Sequence, residues 1–257
     1  MKTLIQLSAL TKRILKQNLT NTDTLITVFG TPIFMLLFFV YVFGGSISLN
    51  GTETNTVDYL NYALPGFMLI TMTMGSAYTS LRINMDKTSG FLDRLHTLPI
   101  KRWIVLGSHI VASVIFMLLS ELTTFVVGMI MGFRPEFSAG NLLLFLLISI
   151  LFAFAMTMIS IPFSISAKSW ESAGSFSYLL IMLLFVSSAF VPTSGMAKPI
   201  AIFADHQPMT PIVETTRGLL MENIALKNGD LLSAFIWLIA LVVVFGILSY
   251  RKYQKVF

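Results

Sequence analysis

Six stretches of this chain are apolar for long enough to cross a hydrocarbon layer, and no fold in water can hide that many. They run over residues 24–44, 62–81, 103–131, 142–165, 176–196 and 231–250, each at least as long as the about 20 predominantly apolar residues a membrane helix needs. The remainder cannot supply a polar shell. Charged side chains make up 11% of the 257 residues, against roughly 25% in a soluble domain. A disordered tail, a soluble helical bundle, a coiled coil and a soluble enzyme with a charged surface are all excluded. The expected fold class is an all-α integral membrane protein, a single transmembrane domain over 1–257 with six transmembrane helices.

The first apolar run begins only after residue 23. It is longer than the 7–15 residues of a signal-peptide core and no A-x-A site follows, so a retained helix is expected. Six spans put both termini on one side, and the basic residues choose that side. Lys2, Lys12, Arg13, Lys16, Arg82, Lys87, Arg94, Lys101, Arg102, Lys168, Arg251, Lys252 and Lys255 share it with the termini; Arg134, Lys198, Arg217 and Lys227 fall opposite. Thirteen against four places both termini in the cytoplasm of a multi-pass plasma (inner, cytoplasmic) membrane protein. Glu53, Asp58, Glu136, Asp205, Glu214, Glu222 and Asp230 fall outside. The net charge of +5 therefore reads as membrane sidedness, with no nucleic acid partner implied.

Residues 1–22 are a different kind of element. Leu4, Leu7, Leu10 and Ile14 recur at helical spacing beside Lys12, Arg13 and Lys16, the pattern of an amphipathic helix lying in the interface with its cations near lipid headgroups. Asn21, Thr22 and Asp23 offer cap residues for the first span. Pro32 and Pro162 predict kinks within spans.

Much chemistry is missing. No G-x-x-x-x-G-K-[ST] loop is present to cradle nucleotide phosphates, no H-E-x-x-H or paired Cys/His cluster to hold a metal, and no G-x-S-x-G elbow. Cysteine is absent altogether. His96, His109 and His206 are scattered over a loop, a span and another loop. The chain is expected to be no enzyme, with no catalytic residue, metal or cofactor of its own.

Three places carry information. In 82–103, Phe91, Leu92, Leu95 and Leu98 share one face of a short helix, capped by Asp86 or Ser89 and stopped by Pro99. That face either docks a cytoplasmic partner or packs on the chain's own neighbours, and the pattern leaves both open. In 191–222, four prolines interrupt apolar stretches too short to span. Thr210 with Pro211 predicts a helix start, and Glu214 with Arg217 an i, i+3 pair. Two short outer re-entrant helices are expected before the last span, as a lid over a cavity or a plain structural cap. Glu121 falls near the middle of the third span, where a carboxylate costs about 2.5–3.5 kcal/mol to insert. Neutralisation, or hydroxyl partners such as Ser120, Thr123 or Thr124, is expected, with a place in a translocation path, at a subunit interface or in a structural hydrogen bond.

The stretch Gly90, Phe91, Leu92, Asp93, Arg94, Leu95, then Leu98, Pro99, Ile100, Lys101, Arg102, then Leu106, Gly107 resembles the coupling segment of ABC-2 type permeases, the membrane subunits of type 2 ATP-binding-cassette exporters. Their pattern there is G-x-x-E-R-x-x-x-x-P-x-x-R; Asp93 stands where it has Glu. Phe190, Val191, Pro192, then Gln207, Pro208, Met209, Thr210, Pro211, then Arg217, Gly218, Leu219 resembles the family's P…N-P-x-T…R-x-L connection, with Gln207 in place of Asn. The resemblance covers essentially the whole chain and is drug-resistance permease-like.

The resemblance implies a mechanism. Gly90, Phe91, Leu92, Asp93, Arg94, Leu95, Leu98 and Pro99 would form a coupling helix, about 86–98, against a separate nucleotide-binding ATPase subunit that carries ATP and Mg. Pro208, Pro211 and Arg217 would belong to an outer gate. A second permease copy or paralogue would complete the dimer, and a hydrophobic or amphipathic substrate, a drug, lipid or similar molecule, would leave outward. The competing readings are a secondary transporter, a membrane scaffold or immunity protein without an ATPase partner, and a membrane-embedded enzyme.

Overall fold

The computed structural model describes residues 2–45, 55–136, 138–221 and 228–256; Glu53, Glu222 and Lys227 from the charge balance lie outside them. The described residues are helical almost throughout and form no strand; one isolated bridge joins Glu136 to Met221. In chain order the helices are α1 (Lys2–Thr20), α2 (Thr22–Leu25), α3 (Thr31–Phe43), α4 (Thr56–Thr88), α5 (Phe91–His96) and α6 (Arg102–Met131). Then follow α7 (Ala139–Ser166), α8 (Trp170–Gly174), α9 (Phe176–Phe185), α10 (Lys198–His206), α11 (Met209–Leu220) and α12 (Asn228–Val256).

Four helical segments among the described residues are long and apolar enough to cross a membrane: Thr22–Phe43, Arg102–Met131, Ala139–Ser166 and Gly229–Gln254. The second expected span, 62–81, lies inside α4, whose 33 residues reach about 50 Å but carry more polar groups. The fifth, 176–196, does not form one helix. It is helical over Phe176–Phe185 and then breaks into turns. The reason is local. Ser187 Oγ donates to the Leu184 carbonyl and accepts from the Ala189 N–H at 3.1 Å, replacing the helix ladder with side-chain bonds.

Cap chemistry sets the starts. Asn21 Oδ1 accepts from Thr24 N at 3.0 Å at the head of α2, as its sequence position predicts. Asn55 and Asp58 close a reciprocal box at the head of α4. Between α2 and α3 the chain makes a π turn, Ile26–Gly30. Pro32 follows two residues later, and a proline that cannot continue the helical ladder gives such a turn its cause. The buried positions on this segment are Thr24, Val28, Pro32, Leu36 and Val40.

α4 is the axis of the bundle. It packs against α3, α6, α7, α8, α9 and α11, and its polar side chains point inward. Thr71 pairs with Thr124 of α6 at 2.9 Å. Thr79 pairs with Ser113 at 2.6 Å, and Ser113 with Thr157 of α7 at 2.9 Å. Ser80 Oγ donates to the Ala173 carbonyl at 2.6 Å, and Ser164 Oγ to the Ser80 carbonyl at 2.8 Å. α12 is the opposite case. It lies on α7 and turns Leu232, Ile236, Ile239, Val243, Val244 and Ile247 outward, as a helix does when hydrocarbon is its solvent. The polar contact that Ser249 makes with α7 has a clear cause. Pro162 has no N–H for the Met158 carbonyl, and Ser249 Oγ donates to that carbonyl at 2.9 Å.

Small residues let these helices close. A Cβ built on Gly66 of α4 would lie 2.7 Å from Ala189 Cβ and 3.2 Å from the Ala189 carbonyl oxygen. Gly66→Val should therefore push the 186–190 turn off α4 and cost about 1–3 kcal/mol, seen as a lower thermal midpoint of the purified chain in detergent. Gly195→Ala, whose Cβ meets nothing within 4 Å, should leave the midpoint unchanged.

Candidate functional site: a charged joint and two buried ionisable groups

At the end of the bundle that carries most of the basic residues, α4 stops at Thr88 and the chain turns through Gly90, whose φ of 69° lies in the left-handed region that favours glycine. α5 follows. Its start is this turn, not a cap by Asp86 or Ser89. Leu92 and Leu95 are buried with Val105 of α6, and Leu10, Phe91 and Ile100 close around them. The apolar face of α5 is thus covered by the chain's own α1 and α6. Asp93, Arg94 and Pro99 are exposed, and Leu98, 50% exposed, lies beyond the helix end. The expected coupling residues separate into an inward set (Phe91, Leu92, Leu95) and an outward set (Asp93, Arg94, Leu98, Pro99).

What holds α5 in place is a carboxylate the sequence pattern had offered as a cap. Asp86 of α4 is 4% exposed. Arg13 of α1 grips it with both terminal nitrogens, at 2.9 and 3.0 Å, and the same guanidinium sits 3.7 Å from the centroid of the Phe91 ring. His109 of α6 brings Nε2 to 3.5 Å from the other side. One turn earlier, Arg82 donates to Asn18 Oδ1 of α1 at 3.3 and 3.4 Å. Burial pulls the Arg82 guanidinium below its ordinary pKa, an effect that Asp86 opposes and Arg13 reinforces. Three helices therefore meet on one carboxylate, α5 joins them through Phe91 on the Arg13 guanidinium, and the bidentate fork fixes the direction of approach as well as the charge.

At the other end of the bundle, Arg217 of α11 is 2% exposed. Its Nε donates to the Tyr62 carbonyl at 3.0 Å, one terminal nitrogen to the Ser188 carbonyl at 2.9 Å, and the other to Glu214 Oε1 at 2.7 Å, the expected i, i+3 pair. Its guanidinium lies 3.8 Å from the Tyr62 ring centroid, and Tyr62 Oη donates to the Ser188 carbonyl. Thr210 is not the cap. Pro208 holds the N-cap position of α11, while Thr210 Oγ1 donates to the Ala204 carbonyl and Pro211 is buried inside the first turn.

Glu121 of α6 is 4% exposed. None of the three hydroxyls expected from the sequence serves it. Ser120, Thr123 and Thr124 all donate to carbonyls of their own helix. Its partner is Ser149 of α7, whose Oγ donates to Glu121 Oε1 at 2.8 Å.

Asp86→Ala should cost about 3 kcal/mol, because it strands the Arg13 and His109 side of the joint. Arg13→Ala should cost less, since Arg13 keeps access to solvent. A double-mutant cycle read by detergent-induced unfolding should return a coupling of about 1 kcal/mol or more. A coupling of zero would detach α1 from the joint.

The sequence matches the ABC-2 type transporter family over residues 5–221. It is 28% identical over 232 residues to the daunorubicin resistance ABC transporter permease protein DrrB1 of Streptomyces coeruleorubidus, covering 90% of this chain and 80% of that one. It is 23% identical over 231 residues to the probable doxorubicin resistance ABC transporter permease protein DrrC of Mycobacterium tuberculosis, covering 88% and 82%. It is 25% identical over 265 aligned positions to the putative transport permease ycf38 of Cyanophora paradoxa, covering 98% and 88%. The matched region takes in the Arg13–Asp86 joint, the Glu121–Ser149 pair and the buried Arg217, and the chain belongs to the ABC-2 type transporter family.

Proposed function

We propose that this chain is the membrane permease of an ATP-driven exporter and that α5 receives the stroke of a separate ATPase subunit. The carrying observation is the division of α5. Its apolar side is closed by the chain itself, its charged side is free, and the helix is seated on a joint that reaches α1, α4 and α6. A rigid lever with an open outer face has that construction. Asp93, Arg94 and Leu98 meet the ATPase on this reading, while Gly90, Phe91, Leu92, Leu95 and Pro99 hold the lever's shape. ATP and Mg belong to the partner, and a difference in the partner's affinity for two conformations drives the cycle.

On this reading the chain crosses the membrane six times. α4 supplies the second, and α8 with α9 and the buried turn at 186–190 supplies the fifth. The basic end, where both termini lie, is cytoplasmic by the positive-inside rule, with α1 along the inner interface. α10 and α11 cap the outer end, where Pro208, Pro211 and Arg217 hold the connection closed over Tyr62 and Ser188. A second permease copy or paralogue completes the path. The relatives named for daunorubicin and doxorubicin resistance support a hydrophobic or amphipathic cargo.

The test is affinity purification from the native membrane followed by an ATPase assay. An ATPase subunit should co-purify with the wild-type chain. The double substitution Arg94→Glu with Leu98→Glu should abolish that association while leaving the thermal midpoint within a degree or two, because both side chains are outside the packed core. A clean chain with no ATPase overturns the reading. Because the protein has no native cysteine, sidedness can be read without background: Lys168→Cys should react with an impermeant maleimide only after the membrane is opened, and Lys198→Cys in intact cells.

A further inference from the structure

Between α6 and α7 the surface opens into a cleft of about 440 Å³, within the range of small-molecule sites. Its walls are Met68, Leu118, Phe125, Phe145 and Leu220, with Glu121 among them. Its rim consists of Leu119, Leu122, Leu146 and Ile150, all exposed, so the mouth faces sideways, toward the bilayer. Every lining residue except Glu121 is apolar. Among the described residues no basic side chain pairs with Glu121, and Ser149 engages one of its oxygens.

A carboxylate in such a place is expensive unless something compensates it. Apolar walls reward a hydrophobic body, a lateral mouth admits a solute already dissolved in the membrane, and a single carboxylate selects a positive charge. We infer that the α6–α7 cleft is a binding site for a hydrophobic cation, with Glu121 as the counter-charge and Ser149 holding its carboxylate in position. An acyl chain alone would fill the walls but leave the carboxylate uncompensated. A second copy of the chain would need to bring a basic residue to the same spot. As the entry site for cargo, this assignment rests on the exporter reading.

Tetraphenylphosphonium is the probe, a permanent cation with an apolar exterior, and tetraphenylborate its anionic counterpart of the same shape. Binding is measured on the full-length chain in nanodiscs of zwitterionic phosphatidylcholine. The expected result is saturable binding of the phosphonium that the borate does not compete away. Glu121→Gln should weaken it about tenfold or more, and Ser149→Ala, which removes the bond that positions the carboxylate, should weaken it by a smaller factor. Leu122→Trp fills the mouth without touching the carboxylate and should block binding as well, which keeps the test decisive if the Glu121 variant folds poorly. Equal affinity in wild type and Glu121→Gln, equal competition by the borate, or no saturable binding overturns the site. None of these outcomes depends on an ATPase. A chain that binds its ATPase but shows Glu121-independent phosphonium binding loses only this proposal, and one that binds the cation through Glu121 but recruits no ATPase loses only the exporter reading.

Discussion

Inside a hydrocarbon layer a polar group has no water to fall back on, so each must find its partner in the protein. The interior of this bundle is arranged around that constraint. α4 carries the polar side chains that lipid would reject, and its neighbours surround it to meet them: Thr124 and Ser113 from α6, Ser164 from α7, Ala173 from α8, with Thr157 of α7 joined to the set through Ser113. Each such bond contributes only about 0.6 kcal/mol on average. Their number and direction nonetheless fix which face of each helix turns inward, and the exposed apolar faces of α3 and α12 follow by exclusion.

The same constraint explains the two ends. Asp86 lies where α4 leaves the bundle, buried but close enough to the edge for Arg13 to reach it from α1. Asn84 and Lys87 beside it donate to carbonyls at the end of α7, Asn84 to Ser164 and Ala167 and Lys87 to Ile165. The basic end is therefore held by polar and charged groups whose partners are a carboxylate, backbone carbonyls and the Asn18 amide, and α5 rests on that layer. At the far end Arg217 ties the broken backbone after α9 to α4, since its nitrogens reach the carbonyls of Ser188 in that break and of Tyr62 in α4. A buried arginine and an interrupted helix answer each other's needs.

Much of the helical layout was legible in the sequence, because apolar run length and cap residues are local properties. Asn21 capping α2 and Glu214 pairing with Arg217 are short-range events of this kind. The joint was not legible. Arg13 and Asp86 are 73 residues apart, and each had a sufficient local explanation, one as a topology marker and the other as a cap. The kind of partner for Glu121 was legible and its identity was not: the adjacent hydroxyls are each taken by their own helix, and the carboxylate is met by the hydroxyl of Ser149, 28 residues on. The break in the fifth apolar run was not legible, because hydropathy sums side chains and does not register that Ser187 diverts the backbone. The face of α5 was left open between partner and self, and the structure divides it. The buried leucines belong to the chain and the charged flank does not.

The π turn at Ile26–Gly30 governs how the first apolar segment meets α4. Its buried positions, Thr24, Val28, Pro32, Leu36 and Val40, repeat every fourth residue, whereas an α-helix turns about 100° per residue. Sixteen residues of unbroken α-helix would carry such a stripe about 160° around the axis. One extra residue wound into a wide turn takes back about 100° of that drift. The loosened turn thus acts as a phase correction, and a helical wheel drawn continuously from Thr22 to Phe43 would assign the wrong side of the helix to lipid.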